Sequence, residues 1–448
     1  MDAVVLDDVL VQLRAALERD DLSGAVSFIQ SLQPADQADL VEGLSDDDQI
    51  AILSQLEPAD SADVLEEMED EDAAALAELL PVASLADILN EMEVDEAADV
   101  LGDLSPERAA EALREMQEPS EVIPLLQYPD DTAGGLMTPA IVALRPEWRA
   151  QDALHELRQV APATDSAYYL FVTDQAGLLL GVVGLRDLVV ALPETVIEAM
   201  MDPNVISVPV TADQEDCARI LSRYGFLALP VVDEEKRLVG VITADDLIEV
   251  AEDEATEDMY RMVGISGEER VFGPLRSSVL KRLPWLAINM VTLFVAITVV
   301  SAFEWVIAGM VALATFLPLV SGEGGNAGSQ TTTVIVRGMA LGEVDVRNGL
   351  RALAKEMAAA AINGAIIGIG TGVAIYLWKR EPVIAVAAAL AMVLNFLVAA
   401  LAGVLVPLGL KLIRVDPALA SAAFVTAVTD TLGFLFFLGI ATLLITWM

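Results

Sequence analysis

Thr426-Ala-Val-Thr-Asp-Thr-Leu-Gly433 lies inside residues 417–448, an apolar run whose one charge is Asp430. A membrane helix needs about 20 apolar residues to cross about 30 Å of hydrocarbon, and this run is long enough. Residues 283–303, 357–378 and 382–410 carry no charge, and residues 305–336 carry only Glu323. Each is too long for a buried helix of a soluble domain. The C-terminal part therefore reads as an all-α transmembrane domain of five helices.

Composition splits the chain at the same place. It has 448 residues, 69 acids against 25 bases and a formal net charge of −44, yet 55% of its residues are apolar. Residues 1–275 hold 61 acids and 14 bases, whereas residues 276–448 hold 8 and 11. An acidic water-facing part is thus fused to an apolar one. One Cys and one His exclude a disulfide scaffold and a Cys/His zinc cluster. The negative field argues against nucleic acid as a partner. No paired nucleophile and base and no phosphate loop point to an enzyme. His155 reads as a surface residue, and Cys217 as an inert apolar one.

Charge also orients the spans. Met1–Asp8 is acidic and lacks the pattern of a cleaved leader, so a cytosolic N-terminus is expected. The inner segments then hold Arg276, Lys281, Arg282, Arg337, Arg347, Arg351, Lys355, Lys411 and Arg414, and the outer ones only Lys379 and Arg380. This is the positive-inside bias. The expectation is a multi-pass protein of the plasma (inner) membrane with its C-terminus outside.

A charge inside a span is costly and suggests function. No Lys or Arg stands three or four residues from Asp430 to neutralise it. One reading is a carboxylic acid bonded to Thr429 or a facing helix; the other is a cation ligand or proton carrier facing water. The second span holds Pro318 and then Ser321-Gly-Glu-Gly-Gly-Asn-Ala-Gly-Ser-Gln330. Its glycines make a poor helix interior, so an irregular backbone lining a wet cavity is expected; close helix packing is the alternative. Pro318, Glu323, Gly325, Asn326 and Gln330 are the candidate pore-lining residues, and Pro407 adds a second expected kink.

The acidic part contains two patterns. Residues 20–107 have no Lys or Arg. Within them Leu32, Leu44, Leu56, Met68, Leu80, Met92, Leu104 and Met116 recur every twelve residues, and Leu40, Ile52, Val64, Leu76, Ile88 and Val100 precede them by four. That spacing is one face of a short helix, repeated. Pro, Ser or Asp between units reads as cap and first turn. The prediction is an α-helical superhelical N-domain over residues 1–130. Its carboxylate face serves either solubility in salt or cation sensing.

Residues 131–252 contain two related halves, opened by Met137-Thr-Pro139 and Met201-Asp-Pro203. Tyr168–Gly177 with Gly181–Leu188 parallels Ala228–Arg237 with Gly240–Leu247. This resembles a tandem pair of CBS domains, an α/β regulatory module of the kind that binds adenine nucleotides such as ATP. An acid-rich stretch follows, expected to form a connecting (plug) helix over residues 253–280 that leads to the membrane pore domain, residues 281–448.

The whole arrangement resembles the MgtE family of magnesium channels and transporters. The motifs that carry the resemblance are Tyr128-Pro-Asp-Asp-Thr-Ala-Gly-Gly-Leu-Met137, Glu254-Ala-Thr-Glu-Asp258, Gly324-Gly-Asn-Ala-Gly328 with Gln330, and Asp416-Pro-Ala-Leu419 leading to Asp430. The resemblance implies a homodimer with Asp430 of each chain at the central ion site, and a pore closed by intracellular Mg²⁺ bound between acidic cytosolic domains. It implies sensing roles for Asp95, Asp99, Asp213, Glu215, Asp246, Glu249, Glu254, Glu257 and Asp258. The chain departs from the family pattern in four places. Glu249 stands for an Asp, Gly225 stands where an acid can occur, Ala422-Ala423 stand for a Gly-Pro or Asn-Pro pair, and Glu323 is unusual in its glycine run.

Mg²⁺ suits these residues because it takes oxygen ligands and gives up water reluctantly. Two facing Asp430 carboxylates would hold it largely hydrated, firmly enough for entry and weakly enough for exit. A proton-coupled secondary transporter of divalent cations is the alternative, and a membrane-anchored nucleotide sensor is a third reading.

Overall fold

Proline and small polar residues divide the N-terminal region into short helices: α1 (Ala3–Leu17), α2 (Leu22–Ile29), α3 (Pro34–Glu42), α4 (Asp46–Leu53), α5 (Pro58–Glu66), α6 (Asp70–Leu79), α7 (Val82–Leu89), α8 (Val94–Asp103), α9 (Pro106–Glu115) and α10 (Pro119–Val122). Proline occupies the first turn of α3, α5 and α9, where its missing N–H costs nothing. The computed structural model describes residues 3–19, 21–139, 141–160, 168–265, 269, 271, 275–419 and 421–447. These fall into two units, Met1–Ala251 and Glu252–Met448.

Alternate helices of the N-domain stack in two rows, α3 on α5 on α7 on α9 and α2 on α4 on α6 on α8. The residues at the twelve-residue spacing form the seam: Leu44, Leu56, Met68, Leu80, Met92, Leu104 and Met116 are buried, as are Leu40, Ile52, Val64, Leu76, Ile88 and Val100. A polar ladder runs beside it. Glu66, Glu78 and Asn90, also twelve apart, accept the backbone N–H groups of Glu93 (2.7 Å), Ser105 (3.3 Å) and Gln117 (2.9 Å). Two of these donors, Glu93 and Ser105, are the N-caps of α8 and α9, so Glu66 and Glu78 each satisfy an otherwise orphaned donor 27 residues later.

The next region repeats one small sheet twice. Its first half comprises β1 (Ala143–Leu144), α11 (Ala150–Val160), β2 (Tyr169–Thr173), β3 (Leu179–Gly184) and α12 (Leu185–Val190). After α13 (Ile197–Met200), the second comprises β4 (Val208–Pro209), α14 (Gln214–Tyr224), β5 (Ala228–Val232), β6 (Leu238–Thr243) and α15 (Ala244–Val263). Each sheet pairs its first two strands parallel and its last two antiparallel, with a register shift at Val172/Thr173 and at the equivalent Val231/Val232. The opening Met-X-Pro segments are exchanged. Met137 packs on Gly240 of the second half, and Met201 on Gly181 of the first. Thr138 likewise bridges to Val241, and Asp202 to Val182. Neither glycine could carry a Cβ beside these methionine side chains, so each half is completed by the other's leader.

The linking segment differs from expectation. α15 begins at Ala244, ends at Val263 and is followed by Gly264 with a left-handed φ of 81°. The next helix begins at Leu275. No separate helix spans 253–280 among the described residues; residues 266–268, 270 and 272–274 lie outside them.

The membrane region holds α16 (Leu275–Ala302), α17 (Glu304–Gly309), α18 (Ala312–Ala340), α19 (Gly349–Lys379), α20 (Pro382–Leu412) and α21 (Ser421–Trp447). Among the described residues, four helices are long and apolar enough to cross a membrane by length and composition: α16, α19, α20 and the part of α21 from Ala423. The fifth long helix, α18, has 29 residues, about 44 Å at 1.5 Å per residue, but its polar run sets it apart. That run is helical throughout, and Pro318 and Pro407 sit inside continuous helices. The irregular backbone expected at 321–330 is therefore absent. Its glycines serve packing instead: Gly324 and Gly328 are buried, against Asn395 and Val425. α19 uses Gly364, Gly368 and Gly372 in the same way, and a Cβ on Gly368 would come 2.6 Å from the backbone oxygen of Ala389 on α20.

Ile52 is 0% exposed on the solenoid seam, and Leu79 is 51% exposed. Ile52→Ala should lower stability by about 2–5 kcal/mol through lost burial and a residual cavity. Leu79→Ala should stay within about 0.5 kcal/mol. Denaturant titration of the full-length protein followed by a signal from the first unit checks the pair.

Candidate metal-binding and conduction sites

Three of the sequence-predicted acids gather within the first unit. Asp95 and Asp99 project from one face of α8, and Glu96 stands between them. Asp246 lies in the first turn of α15 and takes the N–H (3.1 Å) and hydroxyl (2.5 Å) of Thr243, reaching back to the N-cap as in a capping box. Asp95 is buried, and Glu96, Asp99 and Asp246 are half-buried.

Burial is the main influence on all four groups, and repulsion by nearby carboxylates adds to it. The Asp95 carboxyl is pushed up to about 7 by burial and then by Asp246. Glu96 rises to about 9 by burial and then by Asp95, Asp99, Asp246 and Glu66. Asp99 rises to about 8 by burial and then by Asp70, Asp130, Asp95 and Asp103. Burial raises Asp246 as well. No basic residue is among the causes acting on Asp95, Glu96 or Asp99.

The fit to a hard cation rests on one further feature: Asp95 Oδ1 is buried with no hydrogen-bond partner. An oxygen-only donor set suits Mg²⁺ and offers nothing to a soft metal. Among the described residues no three carboxylates of the chain converge closely enough to form a ready-made cage. A cation here would keep much of its water.

The other predicted sensing residues are dispersed. Asp213 is the N-cap of α14 and accepts the Glu215 N–H at 3.0 Å, so both belong to that helix start rather than to the α8 face. Glu249 is exposed on α15. Gly225 ends α14 at φ 66°, in the left-handed region where a side chain is strained; this accounts for a glycine where the resemblance allows an acid. Cys217 is buried, and its thiol is pushed up to about 12 by burial and then by Asp216 and Asp213.

Within the second unit, Glu254, Glu257 and Asp258 stand half-buried on α15. Arg261, one turn later, pairs with both Glu257 and Asp416. It joins α15 directly to the loop before α21. Asp258 rises to about 6 through burial and then through Asp416 and Glu254. Sequence reading did not assign Arg261, and its partner Asp416 is 155 residues away.

Asp430 is bonded to a facing helix, as one of its two sequence readings expected. It is 7% exposed, and its Oδ1 accepts the hydroxyl of Ser321 on α18. Thr429 is not its partner, because that hydroxyl donates to Val425 O and Thr426 O at 3.0 Å on its own helix. Of the expected pore-lining residues, Pro318, Asn326 and Gln330 are exposed, and Glu323 and Gly325 half-exposed. Pro318, Gly322, Asn326 and Gln330 are four apart and form one exposed stripe along α18. The structure thus separates two faces: Asp430 with Ser321 inside the bundle, and the polar stripe on its surface.

Comparison with known proteins matches most of the chain. Family models match at residues 32–131 (MgtE intracellular N domain), 133–194 and 197–253 (CBS domain), and 317–440 (MgtE, divalent cation transporter). The chain is 38% identical over 329 residues to the magnesium transporter MgtE of Thermus thermophilus, covering 73% of each. It is 34% identical over 319 residues to that of Bacillus subtilis, covering 71% of this chain and 70% of the relative. A crystal structure of the cytosolic domain of the Mg²⁺ channel MgtE in complex with ATP superposes with a TM-score of 0.51 at 36% identity, covering 54% of this chain and 99% of that one.

The raised carboxyls fix the sign of the pH response. Folded Asp95, Glu96 and Asp99 hold protons over a window from their ordinary values up to about 7, 9 and 8, respectively. The folded state therefore binds more protons than the unfolded one there, and stability falls as pH rises through that window. In thermal unfolding without divalent ions the transition of the first unit should drop between about pH 5 and about pH 9. Added Mg²⁺ should recover more of it at the higher pH, where it competes with fewer protons.

Proposed function

Because this chain belongs to the MgtE family of magnesium transporters, we propose that it is a Mg²⁺ channel of the plasma (inner) membrane, closed when cytosolic Mg²⁺ fills its acidic domains. It would act as a homodimer, with the conduction path between protomers and Asp430 of each as the central cation site. The single observation that carries this reading is Asp430 held by the Ser321 hydroxyl inside the bundle; Asn326 and Gln330, exposed on a separate face of α18, are the polar surface a second copy would cover.

A polar stripe on a helix of membrane-spanning length is costly against lipid. A second copy together with a water-filled path would cover it. Ser321 occupies one carboxylate oxygen of Asp430, which leaves the other to receive the ion's water. Outer-sphere holding of this kind suits passage rather than capture. The basic residues Arg337, Arg347, Arg351, Lys355, Lys411 and Arg414 at one set of α18–α21 helix ends, against Lys379 and Arg380 at the other, support a cytosolic N-terminus.

Gating follows from electrostatics. Two bare carboxylates 4 Å apart repel by roughly 4 kcal/mol at an effective dielectric of about 20. Surfaces bearing Asp95, Asp99 and Asp246, with further sites at Asp213, Glu215, Glu249, Glu254, Glu257 and Asp258, would separate when Mg²⁺ is scarce. Moving a gate from 1:99 to 99:1 takes about 5.5 kcal/mol of differential binding. Shared by about six weak sites this is roughly 0.9 kcal/mol each, and the response to Mg²⁺ is steep. The tandem CBS pair would add regulation by ATP, the nucleotide bound by the similar cytosolic domain.

Ion flux in liposomes tests the reading. Asp430→Ala should reduce Mg²⁺ flux to roughly a tenth or less, the factor equivalent to about 1.4 kcal/mol. Replacing Asp95, Asp99, Asp246 and Glu254 by Ala should leave flux insensitive to internal Mg²⁺. Full flux in the first variant, or intact inhibition in the second, contradicts the proposal. Flux that requires a proton gradient would favour a proton-coupled transporter.

A further inference from the structure

Asn395 lies near the middle of α20 with 0% exposure, an expensive place for an amide. Its Nδ2 donates to the backbone oxygen of Val320 on α18 at 2.9 Å. Its Oδ1 is buried with no hydrogen-bond partner. Two glycines make room for the group. A Cβ on Gly324 of α18 would collide with the amide, and one on Gly433 of α21 would lie 2.7 Å from Nδ2. Three helices therefore meet around one side chain.

The position of this junction matters. Ser321 immediately follows the carbonyl that Asn395 holds, and Asp430 lies three residues, just under one turn, before Gly433. The contact between Ser321 and Asp430 spans the same two helices. A leucine, with the same branching and number of side-chain heavy atoms but a larger volume, would leave no side-chain acceptor unsatisfied, so packing alone does not call for an amide.

We propose that Asn395 is a positioning residue for ion conduction: its amide sets the separation and register of α18 and α21 at which the Ser321 hydroxyl meets Asp430. Gly324 and Gly433 are the other half of the device, since either gaining a methyl would push the amide out of place. The inference rests on the reading of Asp430 as the conduction carboxylate.

The test is a double-mutant cycle on the full chain in liposomes, with flux read per folded protein. Asn395→Leu should melt at or above the parent temperature in detergent, yet conduct Mg²⁺ about tenfold more slowly and with a shifted half-saturating concentration. Ser321→Ala should show a comparable loss, and the combined variant should be no worse than the poorer single one. Parental flux in Asn395→Leu, an unaffected Ser321→Ala, or losses that multiply would each overturn the proposal. Should leucine overpack, Asn395→Ala completes the same cycle. Asp430→Asn run alongside separates the two ideas. Its full activity would remove the reading of Asp430, whereas its inactivity beside a normal Asn395→Leu would remove only this proposal.

Discussion

A carboxylate drawn out of water must be neutralised by a proton, a fixed cation or a mobile one, or else held by hydrogen bonds. This chain shows three of these remedies, each in a different place. On α8, burial and mutual repulsion keep Asp95, Glu96 and Asp99 partly protonated near neutral pH. At the end of α15, the Arg261 guanidinium serves Glu257 and Asp416. At Asp430, the Ser321 hydroxyl occupies one oxygen. In the proposed gate, protons and divalent cations would compete for the first group.

The solenoid supplies the rigidity such a face needs. Its twelve-residue unit repeats a buried seam and also a polar cap, so α8 is held at its N-terminus by Glu66 from an earlier repeat. The α8 acids thus stand on a helix whose start is fixed by a partner 27 residues away. Asp246 is fixed in its own way by the Thr243 cap. Pre-set donors lose little freedom on taking up an ion, which lets weak sites respond together.

The seam at Leu44 through Met116 and the duplicated sheets were legible in sequence because burial imposes strict spacing on apolar residues. The cap ladder at Glu66, Glu78 and Asn90 has the same period but is hidden in a region where almost every surface residue is acidic. The run Ser321–Gln330 was misread as irregular because glycine lowers helix propensity. Inside a bundle, close approach to Asn395 and Val425 outweighs that cost. Asp430 announced itself as a lone charge, whereas its partner Ser321 is 109 residues away and its neighbour Asn395 sits in an uninterrupted apolar run. Arg261 was invisible for the same reason: pairing with Asp416 is a tertiary fact that spacing does not encode.

The most direct measurement is proton release on adding Mg²⁺ to the full-length protein in weakly buffered solution near pH 7. Metal displacing protons from the α8 carboxylates should acidify the solution, and the release should vanish when Asp95, Glu96 and Asp99 are replaced by their amides. An unchanged pH in the parent protein, or equal release from the amide variant, would contradict the account.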